Sequence, residues 1–176
     1  MGNRAVITPH LGDSAPSIYL HWNGGRSSVE AFLRVGRMVG IQGLGEEPIN
    51  QLAALIARYF FETDVNKGSI HRQPLAEADK DNGDNGVYII DDNLGIIGRE
   101  HAPREEQYND DQAKFVVLCI CERIIADFIA SRLGVDAEDA LQSAADIARE
   151  ASASDNKGSL ARVVRRAYEA IPRQEK

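Results

Sequence analysis

Asp81-Asn82-Gly83-Asp84-Asn85-Gly86-Val87-Tyr88-Ile89-Ile90-Asp91-Asp92-Asn93-Leu94-Gly95-Ile96-Ile97-Gly98-Arg99-Glu100 is the stretch on which the fold turns. Two Asn-Gly pairs run straight into an apolar strand. Asn and Gly tolerate positive φ, so the first six residues read as a tight turn. Val87–Asp91 and Gly95–Arg99 then form a hairpin, with Asp92-Asn93 at its tip and Ile90, Ile96 and Ile97 as apolar side chains. Antiparallel strands joined by a turn, with no helix between them, point to an α+β fold and away from a doubly wound sheet.

Working outward, residues 4–8 and 17–22 are also strand-like, and Pro9, Gly12 and Pro16 punctuate the link between them. A second hairpin with a long loop is expected. Ser27 and Glu30 have capping-box spacing, which predicts a helix from Ser27 with Val29, Phe32, Leu33 and Val35 inward, ending near Gly40. Leu52, Leu55, Ile56, Tyr59 and Phe60 predict another. Residues 62–86 read as a long polar, irregular segment. A polar break at 103–109 precedes a helix over 110–133, apolar on nearly all sides, that must run through a core or an interface. An Ala-rich helix over 136–151 and a last helix striped by Leu160, Val163, Val164, Ala167, Tyr168 and Ile171 follow. The expected architecture is α+β, a small antiparallel sheet of about four strands packed with helices over residues 1–108. A helical extension over 109–176 packs on it.

The 176 residues carry 27 acidic and 20 basic side chains, a net charge of −7. That disfavours general nucleic-acid binding. No apolar run reaches the roughly 20 residues of a membrane span, and the N-terminus lacks an apolar signal stretch. A cytoplasmic protein is expected. Cys119 and Cys121 are the only cysteines. They lie two apart in an apolar run, without a second pair at zinc spacing, and read as buried free thiols. No cofactor or metal is indicated.

Two motifs could carry chemistry. His21-Trp22-Asn23-Gly24-Gly25-Arg26 joins a strand to a helix start. Amides there can hold a phosphate or carboxylate, Arg26 can pair with an anion, and Trp22 can stack on a base. The plainer reading is a structural turn with Trp22 in the core. The acidic turn fails as an EF-hand: from Asp79, position 5 is Gly83 and position 6 is Asp84. Walker, Rossmann and nucleophile-elbow patterns are all missing. His10 and His71 read as loop residues without partners at metal spacing. His21, His101, Glu100 and the acidic turn are the acid/base candidates, and Ser27 looks committed to capping. The ligand- or partner-binding set is His21, Trp22, Asn23, Gly24, Gly25, Arg26, Asp81, Asn82, Asp84, Asn85, Arg99 and Glu100, with no catalytic residue assigned. Near the C-terminus, Arg162, Arg165 and Arg166 share one helix face. It reads as a solvated face or, more sharply, as a contact to a phosphate or acidic partner.

Four ordered strings carry a resemblance. They are Asn3-Arg4-Ala5-Val6-Ile7-Thr8, Tyr19-Leu20-His21-Trp22-Asn23-Gly24-Gly25, Asp81–Tyr88 and Ile97-Gly98-Arg99-Glu100. Over about residues 3–101 the chain resembles a family of small uncharacterised proteins from bacteria, phages and other mobile elements. The resemblance implies a context of host binding, including anti-defence and anti-CRISPR inhibitors, rather than a reaction. A non-enzymatic binding protein with a protein partner is therefore the leading expectation. A nucleotide-like small-molecule binder or hydrolase using the two turns is the alternative. A structural or assembly protein, a homodimer through the 110–133 helix, is the third.

Overall fold

The computed structural model describes residues 3–9, 12–103, 105–133 and 144–150, and singly 153, 160 and 162. Its sheet has strands β1 (Ala5–Thr8), β2 (Pro16–Leu20), β3 (Ile70–Pro74), β4 (Val87–Ile90) and β5 (Ile96–Glu100), in the order β3-β2-β1-β4-β5. The α+β class holds, and both expected hairpins form: β1 pairs antiparallel with β2, and β4 with β5. Two features differ from the sequence expectation. β1 and β4 are parallel, with Val6 opposite Val87, because β3, antiparallel to β2, runs the same way as β1 and residues 75–86 carry the chain back to start β4 at the same end. A fifth strand, β3, lies inside the segment read as irregular and holds His71, which was expected in a loop. It pairs antiparallel with β2. Only Ile70 of its Ile-His-Arg-Gln-Pro sequence is fully buried, so an edge strand with one apolar anchor gave no alternation to read.

Helix α1 (Arg26–Val39) starts one residue before Ser27 and is preceded by an extended Gly25, with no side-chain cap. The capping-box expectation is therefore corrected. Ser27 sits in the first turn, its hydroxyl accepting the Asn109 N–H at 2.7 Å, and Glu30 turns to Arg37 at 3.4 Å. The other end is as expected. Gly40 has φ 96°, and the bonds Gly40 N–H to Arg37 C=O and Ile41 N–H to Gly36 C=O close a Schellman motif. Helix α2 (Glu46–Tyr59) packs on β2 and β3.

Alternation divides the sheet. Ala5, Ile7, Ile18, Leu20, Ile70, Tyr88 and Ile90 face the helices and share one cluster with them. Val6, Val87 and Tyr19 face the other way, covered by Ala15, Leu75 and Ala78. Ile97, expected among the apolar hairpin side chains, is exposed on edge strand β5.

Helix α3 (Asp110–Leu133) packs chiefly on α1. Val116, Val117, Ile120, Cys121, Ile125 and Ile129 join the main core, together with Ala144, Ala148 and Leu160. Phe115 stays 66% exposed. Burial pushes the Cys121 thiol up to about 12 and raises that of Cys119 less. Residues 144–150 are helical, as expected there. The rest of the 136–151 helix and nearly all of the last helix, including Arg165 and Arg166, lie outside the described residues, as does His10.

Candidate functional site

The pairing brings four strand ends together: the start of β1, the end of β2, the start of β4 and the end of β5. Both motifs therefore stand at one end of one sheet. Asn3 and Arg4, leading into central β1, tie them to each other. The Asn3 carbonyl accepts Gly24 N–H at 2.6 Å. The Arg4 carbonyl accepts Asn85 N–H at 3.1 Å, and the Arg4 guanidinium donates to Asp84 at 2.7 Å. The Asn85 amide reaches Asn3 Oδ1 at 2.6 Å, and Arg99 Nε donates to the Asn85 carbonyl at 2.9 Å. The Arg4 bond holds the Asp84 carboxyl below the usual carboxylate range.

Each turn has its own internal logic. Asn82 is buried, and its Oδ1 accepts from Asp84 N–H at 3.1 Å and Gly86 N–H at 3.2 Å. Its amide donates to the carbonyls of Asp79 and Gly86. Asn82 is thus occupied as the frame of its turn. Gly86 has φ 67°, and a Cβ there would stand 2.2 Å from the Glu100 carbonyl oxygen. A Cβ on Gly24 would stand 2.6 Å from that of Ala5. These two glycines serve close backbone packing.

What the arrangement leaves open is a cleft of about 690 Å³. One wall is Asn3, Asp84, Asn85 and Arg99. The other is the first turn of α1, Gly25, Arg26 and Ser27, and the segment around Tyr108, Asn109 and Gln112 completes it. Arg26 is braced by Glu106 at 3.0 Å and Glu30 at 3.5 Å. Beneath Arg99, whose guanidinium carbon lies 5.4 Å from the ring centre, Tyr88 is fully buried. Its hydroxyl has no hydrogen-bond partner among the described residues, and burial pushes its pKa up to about 12. The charges of Arg99 and Arg26, both in the cleft lining, lower it, and Glu106 raises it, less than burial does.

Of the twelve candidate residues, Gly25, Arg26, Asp84, Asn85 and Arg99 line this cleft. Trp22 does not, and it is not in the core either: it is 45% exposed, with its ring 5.1 Å from that of His21. Asn23 takes the left-handed turn position at φ 59°. Asp81 is exposed. Glu100 stands opposite Val87, on the sheet face away from the helices, while Arg99 stands opposite Tyr88 on the helix side. Sequence reasoning missed Tyr108, Asn109 and Gln112. Tyr108 and Asn109 end a polar break that carries no motif, Gln112 follows it, and only the folding of that segment across Ser27 brings them in.

Comparison with known proteins finds no family model, no curated protein and no solved structure that matches the chain. The site is therefore read from its own geometry.

Proposed function

We propose that this chain is a binding protein. Its recognition site is the cleft between the Asn82–Gly86 turn and the start of α1. Its ligand is a small polar molecule with an acidic group directed at the first turn of α1. One observation carries the reading. Residues from both motifs converge on a concave, hydrogen-bond-rich space at a helix start that no side chain caps. A first turn without a side-chain cap and the helix dipole favour an anionic group there. A catalytic reading is weaker. His21 meets the rings of Trp22 and Tyr19, and His71 Nε2 lies 3.3 Å from the Gly68 carbonyl. Among the described residues, neither imidazole has a carboxylate partner to orient it as a base.

The test is a small-molecule panel followed by chemical-shift mapping. Binding should perturb the Gly25, Ser27 and Asn85 amides. Gln112→Trp, which narrows the cleft from its exposed wall, should abolish it without changing the circular dichroism. Perturbations confined to other surfaces would sink the reading.

An inhibitor of a host defence complex is the second reading. The net charge of −7 favours it, since an acidic protein can compete with nucleic acid for a basic surface. Self-association through α3 rests on Phe115, which among the described residues is the exposed large apolar side chain of that helix, with Leu118, Ile124 and Phe128 half-buried. Light scattering decides it. A dimer should show twice 19.3 kDa and fall to the monomer mass in Phe115→Ser, whereas a monomeric wild type removes the proposal.

A further inference from the structure

The sheet face turned away from the helices carries a line of rings that the cleft does not use. His71 on β3 stands opposite Tyr19 on β2, with ring centres 6.4 Å apart. Tyr19 lies 6.4 Å from His21, and His21 meets Trp22 edge-on at 5.1 Å. His21 and Trp22 are exposed, and Trp22 is the only tryptophan in the chain. A large aromatic side chain left exposed beside other rings is the composition of an interface centre. Its border is acidic. Asp79 is half-exposed and acts electrostatically on the Tyr19 hydroxyl. Glu77 is exposed on the short turn Leu75–Glu77, whose Leu75 packs over the same sheet face as Tyr19. Arg4, the cation beside Tyr19, is shared between Asp84 at 2.7 Å and Asp79 at 4.0 Å, which leaves that group acidic, and Lys80 is paired with Asp13 at 3.7 Å.

Rings attract cations through their π faces, arginine more than lysine, and carboxylates at the border add to that attraction. Nucleic acid would also stack on such rings, but the acidic border repels its phosphates. We infer that the Tyr19–His21–Trp22–His71 strip is a docking surface for an arginine-rich segment of a protein partner. The inference rests on the protein-partner reading and is independent of the cleft. It gives that reading a place on the molecule and a partner chemistry.

Because Trp22 is unique, its fluorescence reports on the strip directly. The full chain is titrated at low salt with an arginine-rich peptide, a lysine-rich peptide, a glutamate-rich peptide and a single-stranded oligonucleotide. The arginine-rich peptide should change the emission saturably, and several-fold more tightly than the lysine-rich one. The glutamate-rich peptide and the oligonucleotide should not. Asp79→Asn and His71→Ala should each weaken the peptide at least about three-fold with unchanged circular dichroism, and Gln112→Leu, which alters the cleft without adding a second tryptophan, should leave it unaltered. No saturable response to the arginine-rich peptide would overturn the inference. So would a response insensitive to Asp79→Asn and His71→Ala, one lost in Gln112→Leu, or a stronger response to the oligonucleotide. A chain that blocks a host complex yet ignores the peptide would overturn the surface and leave the inhibitor reading standing.

Discussion

The turn at Asn82–Gly86 and the turn at Asp91–Gly95 are built from the same residue types, and the protein uses them in opposite ways. In the second, Asp91 Oδ1 accepts from Asn93 N–H at 3.0 Å and Gly95 N–H at 2.7 Å, and Leu94 takes φ 57°. That is a locally closed Asx turn whose work is to reverse the chain. In the first, Asn82 closes the loop in a similar manner, but the loop is then tied to Arg4 and Asn3, about eighty positions away, and to Arg99, 14 positions on. Local bonds make a turn. Long-range bonds make a wall of a cleft. The two should therefore respond very differently to the same kinds of substitution.

The largest difference is expected at Gly86. An added Cβ meets the Glu100 carbonyl at 2.2 Å, and the φ of 67° is unfavourable for alanine. The obstacle is backbone, so it cannot rotate away. Gly86→Ala should cost about 4 kcal/mol in urea unfolding. A cost below about 1 kcal/mol would mean that β4 and β5 pair less closely at this end.

Asn82→Asp comes next. It removes two donors, those to the Asp79 and Gly86 carbonyls, and sets a carboxylate against carbonyl oxygens in a buried position. About 2–3 kcal/mol is expected. The amide cross-peaks of Asp84 and Gly86 should move most. A neutral result would show that the carboxyl is reached by water or protonated.

The third prediction concerns pH. Asp84 is held below its ordinary range by Arg4, so the pair stabilises the fold fully above the free carboxylate's value. That contribution is lost as pH falls through the lowered folded value. Wild type should thus lose stability below about pH 4. Asp84→Asn should already be weaker near neutrality and show a shallower acid slope. Unfolding midpoints of both proteins against pH decide it, and parallel curves would deny the pair any role.

These contrasts explain what could be read in advance. Strand and turn in the Asp81–Glu100 stretch were legible because turn residues and β-branched runs act over a few positions. The end of α1 was legible for the same reason at Gly40. The start of α1 was misread, since Gly24-Gly25 set the entry and left Ser27 to Asn109, a partner far along the chain. β3 was invisible because an edge strand needs one buried side chain, and Ile70 supplies it. Within the site, Arg26, Asp84, Asn85 and Arg99 were legible as unusual polar residues beside turns. Their separation from Trp22 and Glu100 was not, because it depends on which sheet face each residue takes. That follows from register, which composition does not encode.

The smallest effect is expected from the exchange Asp91→Asn. It keeps the Oδ1 that Asn93 and Gly95 donate to, and no bond from a distant part of the chain ends on that carboxylate among the described residues. Among the described residues the hydrogen bonds from this turn to distant parts of the fold run through backbone carbonyls, Asp92 to Gly43 N–H at 2.7 Å and Leu94 to the Arg37 guanidinium at 2.8 Å, while the Leu94 side chain is buried in the core. Neither depends on the side chain at 91. Stability should change by less than about 0.5 kcal/mol, and any cleft ligand should bind as before. The informative quantity is the ratio between Asn82→Asp and Asp91→Asn, one the reverse of the other in chemistry. Similar costs would mean that the Asn82 turn is also only a local reversal, and the wall it gives to the cleft would lose its physical basis.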